Sequence, residues 1–360
     1  MESHCESHTR PQCVGSWSFP VSFLLLFFVT AFAATSETRE VTDMDGRKVI
    51  VPKTINKVCA DWPPVMYLLY AMDPSLLAGI NSPFTDKQKE YLCVSARTLP
   101  VVGGFFGQGQ TTNIEALLKV KPDLIIAEKW GDKALKSKSE DILGTFGIPV
   151  VYVNLETTRD YPNAILFLGE LFGREARART LSAYGKAVFE KVNTAVRSIP
   201  SNKRPRIYYA EGVTGLNTEC HTSFHAELIA LAGATNVHHC ANGLFKVKGR
   251  DQVSIEQVLK YDPEVIFAAE PSFYQQVFKD VRWRNLRAVR TGRVYLTPRL
   301  LFDWFDRPPS FMRLLGLQWV AWHLYPEVYR IDMTEEARRF YRIFLGVDIP
   351  LDTMKRLLFP

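Results

Sequence analysis

The sequence predicts an α/β fold of two lobes, each with a mostly parallel sheet flanked by helices, joined by one long helix and leaving a ligand cleft between them. Three observations carry this. Residues 113–127, NIEALLKVKPDLIIA, recur 141 positions later as 254–268, SIEQVLKYDPEVIFA. Strand and helix patterns alternate on both sides of the chain's centre, as parallel sheets require. Between them, residues 175–199 run without proline, with apolar residues at helical spacing among Arg, Lys and Glu.

Each copy of the repeat reads as a capped helix feeding a buried strand. Asn113 or Ser254 is the cap, and Ile114, Leu117 and Leu118, or Ile255, Val258 and Leu259, fall at i, i+3 and i+4, the spacing of a core-facing stripe. Pro122 or Pro263 stops the helix, and LIIA or VIFA is the short apolar run of a strand covered on both faces. Each copy also places one acid, Glu115 or Glu256, in the first helical turn.

The remaining elements follow in order. Residues 19–33, FPVSFLLLFFVTAFA, are too short to span a bilayer comfortably and end in a small-x-small site, so 1–33 reads as a secretory signal; no cysteine follows it, so no lipoprotein anchor is indicated. Residues 40–52 read as a β-hairpin turning at Asp45-Gly46. KVCA (57–60) is a first buried strand, DWPPVMYLLYAMD turns into a helix, and LLAGI, the first repeat and PVVYVN (149–154) continue the alternation. The expected boundaries are an N-terminal lobe at 40–160, a linking helix at 174–199, a C-terminal lobe at 204–345 opened by the strand RIYYAEG, and a tail at 346–360, with EEARRFYRIF an amphipathic helix packing back.

At 360 residues and 47% apolar content, two ordinary lobes with a core each are affordable. The formal charge of +6 is modest and dispersed, with no basic-aromatic block of the kind nucleic-acid binding needs. Four cysteines follow the signal: Cys59, Cys93, Cys220 and Cys240. In an exported protein this even count points to disulfides. Cys220–Cys240, close in sequence and bracketing a helix, is the favoured pair, with Cys59–Cys93 second.

Taken in order and spacing, KVCADWPPVMYLLYAM, VVGGFFG with TNIEALLKVKPDLIIA, the long helix, VSIEQVLKYDPEVIFAAE and LFDWFDRPPS resemble the helix-linked solute-binding proteins of ABC importers for ferric siderophores, haem and vitamin B12. The resemblance covers about residues 40–345. It implies a periplasmic, monomeric, non-catalytic clamp without intrinsic cofactor. Its partners would be a metal chelate and a permease dimer with its ATPase. In such proteins one exposed glutamate per lobe docks against permease arginines, which assigns that role to Glu115 and Glu256; the alternative is that each acid only favours its helix dipole.

Residues just past strand ends are the pocket candidates: Trp62, Phe105, Phe106, Lys129 and Trp130 from the first lobe, and Glu211, His221, Trp304 and Arg307 from the second. Aromatic walls suit a bulky chelate, and Lys129 and Arg307 suit carboxylate or catecholate oxygens. The bland alternatives are a core position for Trp304 and mutual pairing of Asp306 with Arg307. Phe105 stands where B12-binding relatives have tryptophan, and Glu211 where they have an aromatic. Both make the cleft smaller or more polar, favouring a ferric-siderophore or related iron complex over cobalamin.

His221, His225, His238 and His239 cluster between Cys220 and Cys240. On a helix His221 and His225 would share a face, which opens a second reading as a site for a nickel chelate or bare transition-metal ion, with His221 the candidate ligand. The competing reading is a packed His225 and a surface run stapled by the disulfide. A chelatase-like enzyme is the third function. Gly-x-Ser-x-Gly, phosphate-loop and His-Glu-x-x-His motifs are all missing from the sequence.

Overall fold

The first ordered element is a hairpin whose turn is dictated by one side chain. Strands β1 (Thr38–Thr42) and β2 (Lys48–Pro52) pair antiparallel with Thr38 opposite Pro52. Between them the Asp43 carboxylate accepts the backbone N–H groups of Asp45 and Arg47, and Gly46 takes the left-handed φ of +80° that favours glycine. The computed structural model describes residues 37–105, 111–129, 140–141, 143–240 and 250–360. The expected signal segment, Phe106 and Trp130 lie outside the described residues.

The first lobe follows the expected alternation. Strand β3 (Val58–Ala60) leads into helix α1 (Pro63–Met72), whose two prolines occupy the first turn, where no N–H partner is lost. Helix α2 (Ile114–Val120) precedes β4 (Leu124–Glu128), and β5 (Val150–Val153) completes a parallel sheet ordered β3-β4-β5. LLAGI, expected as a strand, makes only single bridges, Leu77 to Val58 and Ile80 to Val101. It runs past the short edge strand β3 and then turns away. Gly79 is needed there, since a Cβ would lie 2.6 Å from a Val102 methyl.

Helix α3 (Tyr161–Phe172) ends at Gly173, in the left-handed region, and the long helix α4 (Glu175–Arg197) starts at once. The second lobe carries β6 (Arg206–Ala210), α5 (Glu227–Leu231), β7 (Thr235–Asn236), α6 (Ile255–Tyr261), β8 (Val265–Ala268) and β9 (Val294–Leu296). Its sheet is ordered β9-β8-β6-β7, with every neighbour parallel. Helices α7 (Arg313–Leu324), α8 (Met333–Leu345) and α9 (Leu351–Leu358) close the chain.

The expectation of one separate core per lobe is corrected. The side-chain alternation of each strand divides the apolar residues by face. Val58, Ile126, Val151, Ile207, Val265 and Phe267 join one continuous cluster with residues of α1, α3, α4, α7 and α8. The opposite faces form two smaller clusters, one with Cys59, Ile125 and Tyr152, the other with Tyr208, Ile266 and Trp283. The sheets are thus welded through the helices, and the carboxyl ends of β3, β4, β6 and β8 are where side chains escape the weld.

Candidate functional site

The carboxyl ends of the two sheets carry the same residue type in opposite settings. In the first lobe Asp61 follows β3 and Glu128 ends β4, both almost fully buried. One Asp61 oxygen accepts the Glu128 backbone N–H at 3.0 Å, while its Oδ1 and Glu128 Oε2 have no hydrogen-bond partner. Burial pushes both carboxyls well above the usual range, and for Glu128 the neighbouring Asp61 adds to it. Both are therefore biased toward the neutral, protonated form.

In the second lobe the acids face arginines. Glu211, just after β6, is fully buried and accepts Arg307 Nε at 2.5 Å and Arg250 Nε at 3.2 Å. Arg307 Nη2 donates to Glu219, whose other oxygen accepts the Ser223 hydroxyl at 2.7 Å. Asp306 is clasped by His225 Nδ1 at 2.7 and 2.8 Å and by Arg313 at 3.1 Å. Burial alone would raise Asp306, but the His225 bond and the fields of His225, Arg313 and Arg307 outweigh it and hold the carboxyl below its usual value. Asp303 pairs with Arg299 and is nonetheless pushed up to about 6 by burial. Leu301 and Arg307 both hold left-handed backbone, φ +62° and +45°, within this loop, a clustering of backbone strain of the kind found at binding sites.

The lobes meet over a cavity of about 270 Å³. Tyr67, Lys87 and Gln88 line it from the first lobe, and Arg299, Asp303 and Arg307 from the second. Tyr67 stacks on Phe302 with ring centroids 3.7 Å apart, and Gln88 donates to the Leu301 carbonyl at 2.5 Å. Elsewhere the lobes are tied by Glu227 of α5, which accepts the Thr158 backbone N–H at 3.0 Å and its hydroxyl at 2.7 Å. Arg313 stands 3.4 Å from the same carboxylate.

Of the sequence candidates, the structure gathers Glu211 and Arg307. Trp304 is fully buried, its indole N–H donating to the Tyr341 hydroxyl at 2.9 Å, so it is a core residue and not a cleft wall. Lys129 pairs with Asp45 of the hairpin at 3.4 Å, away from the arginines. Trp62 is buried at the start of α1, and Phe105 is half-buried against the outer cluster of the first sheet. Glu219, Arg250, Arg299, Asp303, Tyr67 and Gln88 were missed. Only Glu219 left a signal, an acid beside a cysteine expected to be stapled.

Cys220 and Cys240 form the disulfide. Cys59 and Cys93 do not pair: both are free, Cys59 with its thiol pushed up to about 12 by burial inside β3. Only His225 leaves the histidine cluster; His221 stays beside His239 and beside His238, whose carbonyl accepts its N–H at 2.9 Å. His221 lies before the short helical turn Phe224–Ala226 and not on a helix shared with His225, which is bound to Asp306. His238 bonds the Tyr261 hydroxyl at 2.8 Å and Asp251 at 3.0 Å. The His221 and His239 rings lie tilted with centroids 4.5 Å apart, and His221 accepts the Cys240 N–H through Nδ1 at 3.2 Å. That bond leaves the proton on Nε2 and works against metal ligation there. Among the described residues no group of three or more His, Cys, Asp or Glu is arranged to hold a metal ion.

The two copies of the repeat match closely. Asn113 accepts the Ala116 N–H at 3.0 Å and Ser254 the Gln257 N–H at 3.3 Å, and Lys121 and Asp262 both end their helices in the left-handed region. Glu115 and Glu256 are exposed in the first turns. Leu259 departs from the expected core stripe, being 40% exposed. No helix among the described residues is long and apolar enough to cross a membrane.

Residues 104–300 match the family described as periplasmic binding protein. The chain is 24% identical over 353 residues to the molybdate-binding protein MolA of Haemophilus influenzae, covering 91% of this chain and 96% of that protein. It is 24% identical over 287 residues to the high-affinity heme uptake system protein IsdE of Staphylococcus aureus, covering 76% and 87%. Among solved structures, an ABC transporter solute binding protein from Sulfurospirillum deleyianum superposes with a TM-score of 0.82 at 37% identity, covering 89% of this chain and 98% of that one.

Proposed function

We propose, from the premise that this chain belongs to the periplasmic binding protein family, that it captures a compact anionic metal species outside the cytoplasm and delivers it to an ABC importer. The observation that carries this reading is the cavity between the lobes. At about 270 Å³ it falls below the range usual for drug-sized ligands, and Lys87, Arg299 and Arg307 bring three cations to its lining. A macrocycle such as haem or cobalamin does not suit that volume; a molybdate-type oxyanion or a small anionic iron chelate does. Arginine side chains favour oxyanion and carboxylate oxygens through paired N–H donors. The relative named as molybdate-binding supports the oxyanion, and the heme uptake relative keeps an iron complex in view.

In this reading Glu115 and Glu256 are the permease contacts. Their exposure and matched capped helices support it, since neither core uses the acids. Substituting both with arginine is expected to abolish uptake in cells and leave ligand affinity unchanged. A loss of affinity instead would remove the docking role.

The ligand reading is tested by tryptophan-fluorescence titration of the purified protein with molybdate, tungstate, ferric citrate, haemin and cyanocobalamin. Saturable binding of one of the compact anions supports it. Binding of haemin or cyanocobalamin with no response to the compact anions would sink it.

A further inference from the structure

Arg307 does not stand open in the cleft; its side chain is only 11% exposed, and its Nε and Nη2 donors are occupied by the chain's own carboxylates. These two donors form one edge of the guanidinium, a fork that a single carboxylate or tetrahedral oxyanion would occupy with two of its oxygens. Here two separate residues share the fork, Glu211 at Nε and Glu219 at Nη2. Together they hold Arg307 as a bound anion would.

We propose that Glu211 and Glu219 are a built-in competing anion for Arg307, so that only a multiply charged, oxygen-rich anion displaces them and enters the cleft. The proposal rests on the anion reading above and adds the rule by which the site selects.

The exchange is feasible because each glutamate has a second hold. When Arg307 turns to a ligand, Glu211 keeps Arg250 at 3.2 Å and Glu219 keeps the Ser223 hydroxyl at 2.7 Å, so each buried carboxylate retains one partner and loses only part of its stabilisation, a cost the incoming anion must offset. Asp306 makes the contrast. It lies 3.6 Å from Arg307 Nε but is fixed by His225 and Arg313, so it does not join the exchange. The position of Arg307 on the cavity lining puts the freed fork where a ligand would sit. A monovalent anion offers Arg307 less than the two carboxylates already do, whereas a doubly charged oxyanion matches their charge and fills both donors of the fork from one molecule.

The test titrates wild type, Glu219→Gln and Arg307→Gln with molybdate and with nitrate by calorimetry, with thermal melts to confirm folding. Glu211→Gln serves as the second variant should Glu219→Gln fail to fold. Removing one competing charge is expected to tighten molybdate binding at least tenfold and to make nitrate binding measurable. Arg307→Gln is expected to weaken molybdate at least tenfold. A glutamate that merely braces the loop would weaken binding when replaced. Molybdate binding that is unchanged or weaker in folded Glu219→Gln, with wild type binding normally, overturns the competing-anion role and leaves the anion reading standing. No molybdate binding by any of the proteins removes both.

Discussion

The two sheets end in buried acids at equivalent places and neutralise them by opposite means. At the first, no arginine among the described residues is bonded to Asp61 or Glu128, and burial pushes both carboxyls toward the protonated form. At the second, Glu211, Glu219 and Asp306 are bonded to Arg250, Arg307, Arg313 and His225. Protonation makes a quiet wall; ion pairs make a set of charges that can be re-partnered. The difference teaches that the second lobe supplies the discriminating chemistry and the first closes over it.

The sharpest way to break the comparison is to remove the cation. Arg307→Ala leaves Glu211 and Glu219 short of a partner and is expected to cost about 3–5 kcal/mol in urea unfolding, besides anion binding; a loss of under about 1 kcal/mol would mean the cluster is not a buried ion pair. The disulfide is found in the second lobe while the first-lobe thiols are free. Cys220→Ser with Cys240→Ser, opening a loop of sequence separation 20, is expected to cost about 3 kcal/mol. Hydrogen exchange should locate the loosening at residues 219–240 and leave β3 to β5 protected.

Glu227→Gln tests the tie between the lobes. It replaces the carboxylate that accepts Thr158 and faces Arg313, with an expected loss of about 1–2 kcal/mol. A double-mutant cycle with Thr158→Val should show coupling, and additive losses would deny the tie. The smallest effect at neutral pH is expected from Glu128→Gln, which imitates the protonated acid; its signature is in pH dependence. Asp61 and Glu128 have folded values raised above their unfolded ones, so the folded state holds protons the unfolded chain has released. Their stabilisation is complete below the ordinary carboxylate range and is lost as pH rises through the raised values. Asp303 adds the same trend up to about 6. Asp306, held low, behaves oppositely and loses its contribution only in acid. Melting temperature should therefore fall as pH rises above the ordinary carboxylate range in wild type and fall less in Glu128→Gln; equal slopes would refute the raised values of the first-lobe acids.

The fold was legible because its signals are local. The continuous apolar runs LIIA and VIFA, the caps Asn113 and Ser254 and the proline-free run to Arg197 are each read from neighbouring residues, and the Cys220–Cys240 staple is short-range. The site was less legible because its partners come from distant segments. Arg307 meets Glu211 and Glu219 across 96 and 88 positions, a relation no spacing rule encodes. Trp304 and Arg307 stand three apart in one motif, yet one is core and the other lines the cavity. His221 and His225 failed as a pair because the segment forms a turn and a short 3₁₀ helix where a full helix was assumed.

The most direct measurement is anomalous scattering from crystals of the protein grown with tungstate and, in parallel, with ferric citrate. The expected result is a metal peak in the cavity between the lobes, with an oxygen of the bound species within hydrogen-bond reach of Arg307 and the Glu219 carboxylate released from it. A peak beside His221 and His239, or at Asp61 and Glu128, with Arg307 still bound to both glutamates, would contradict it.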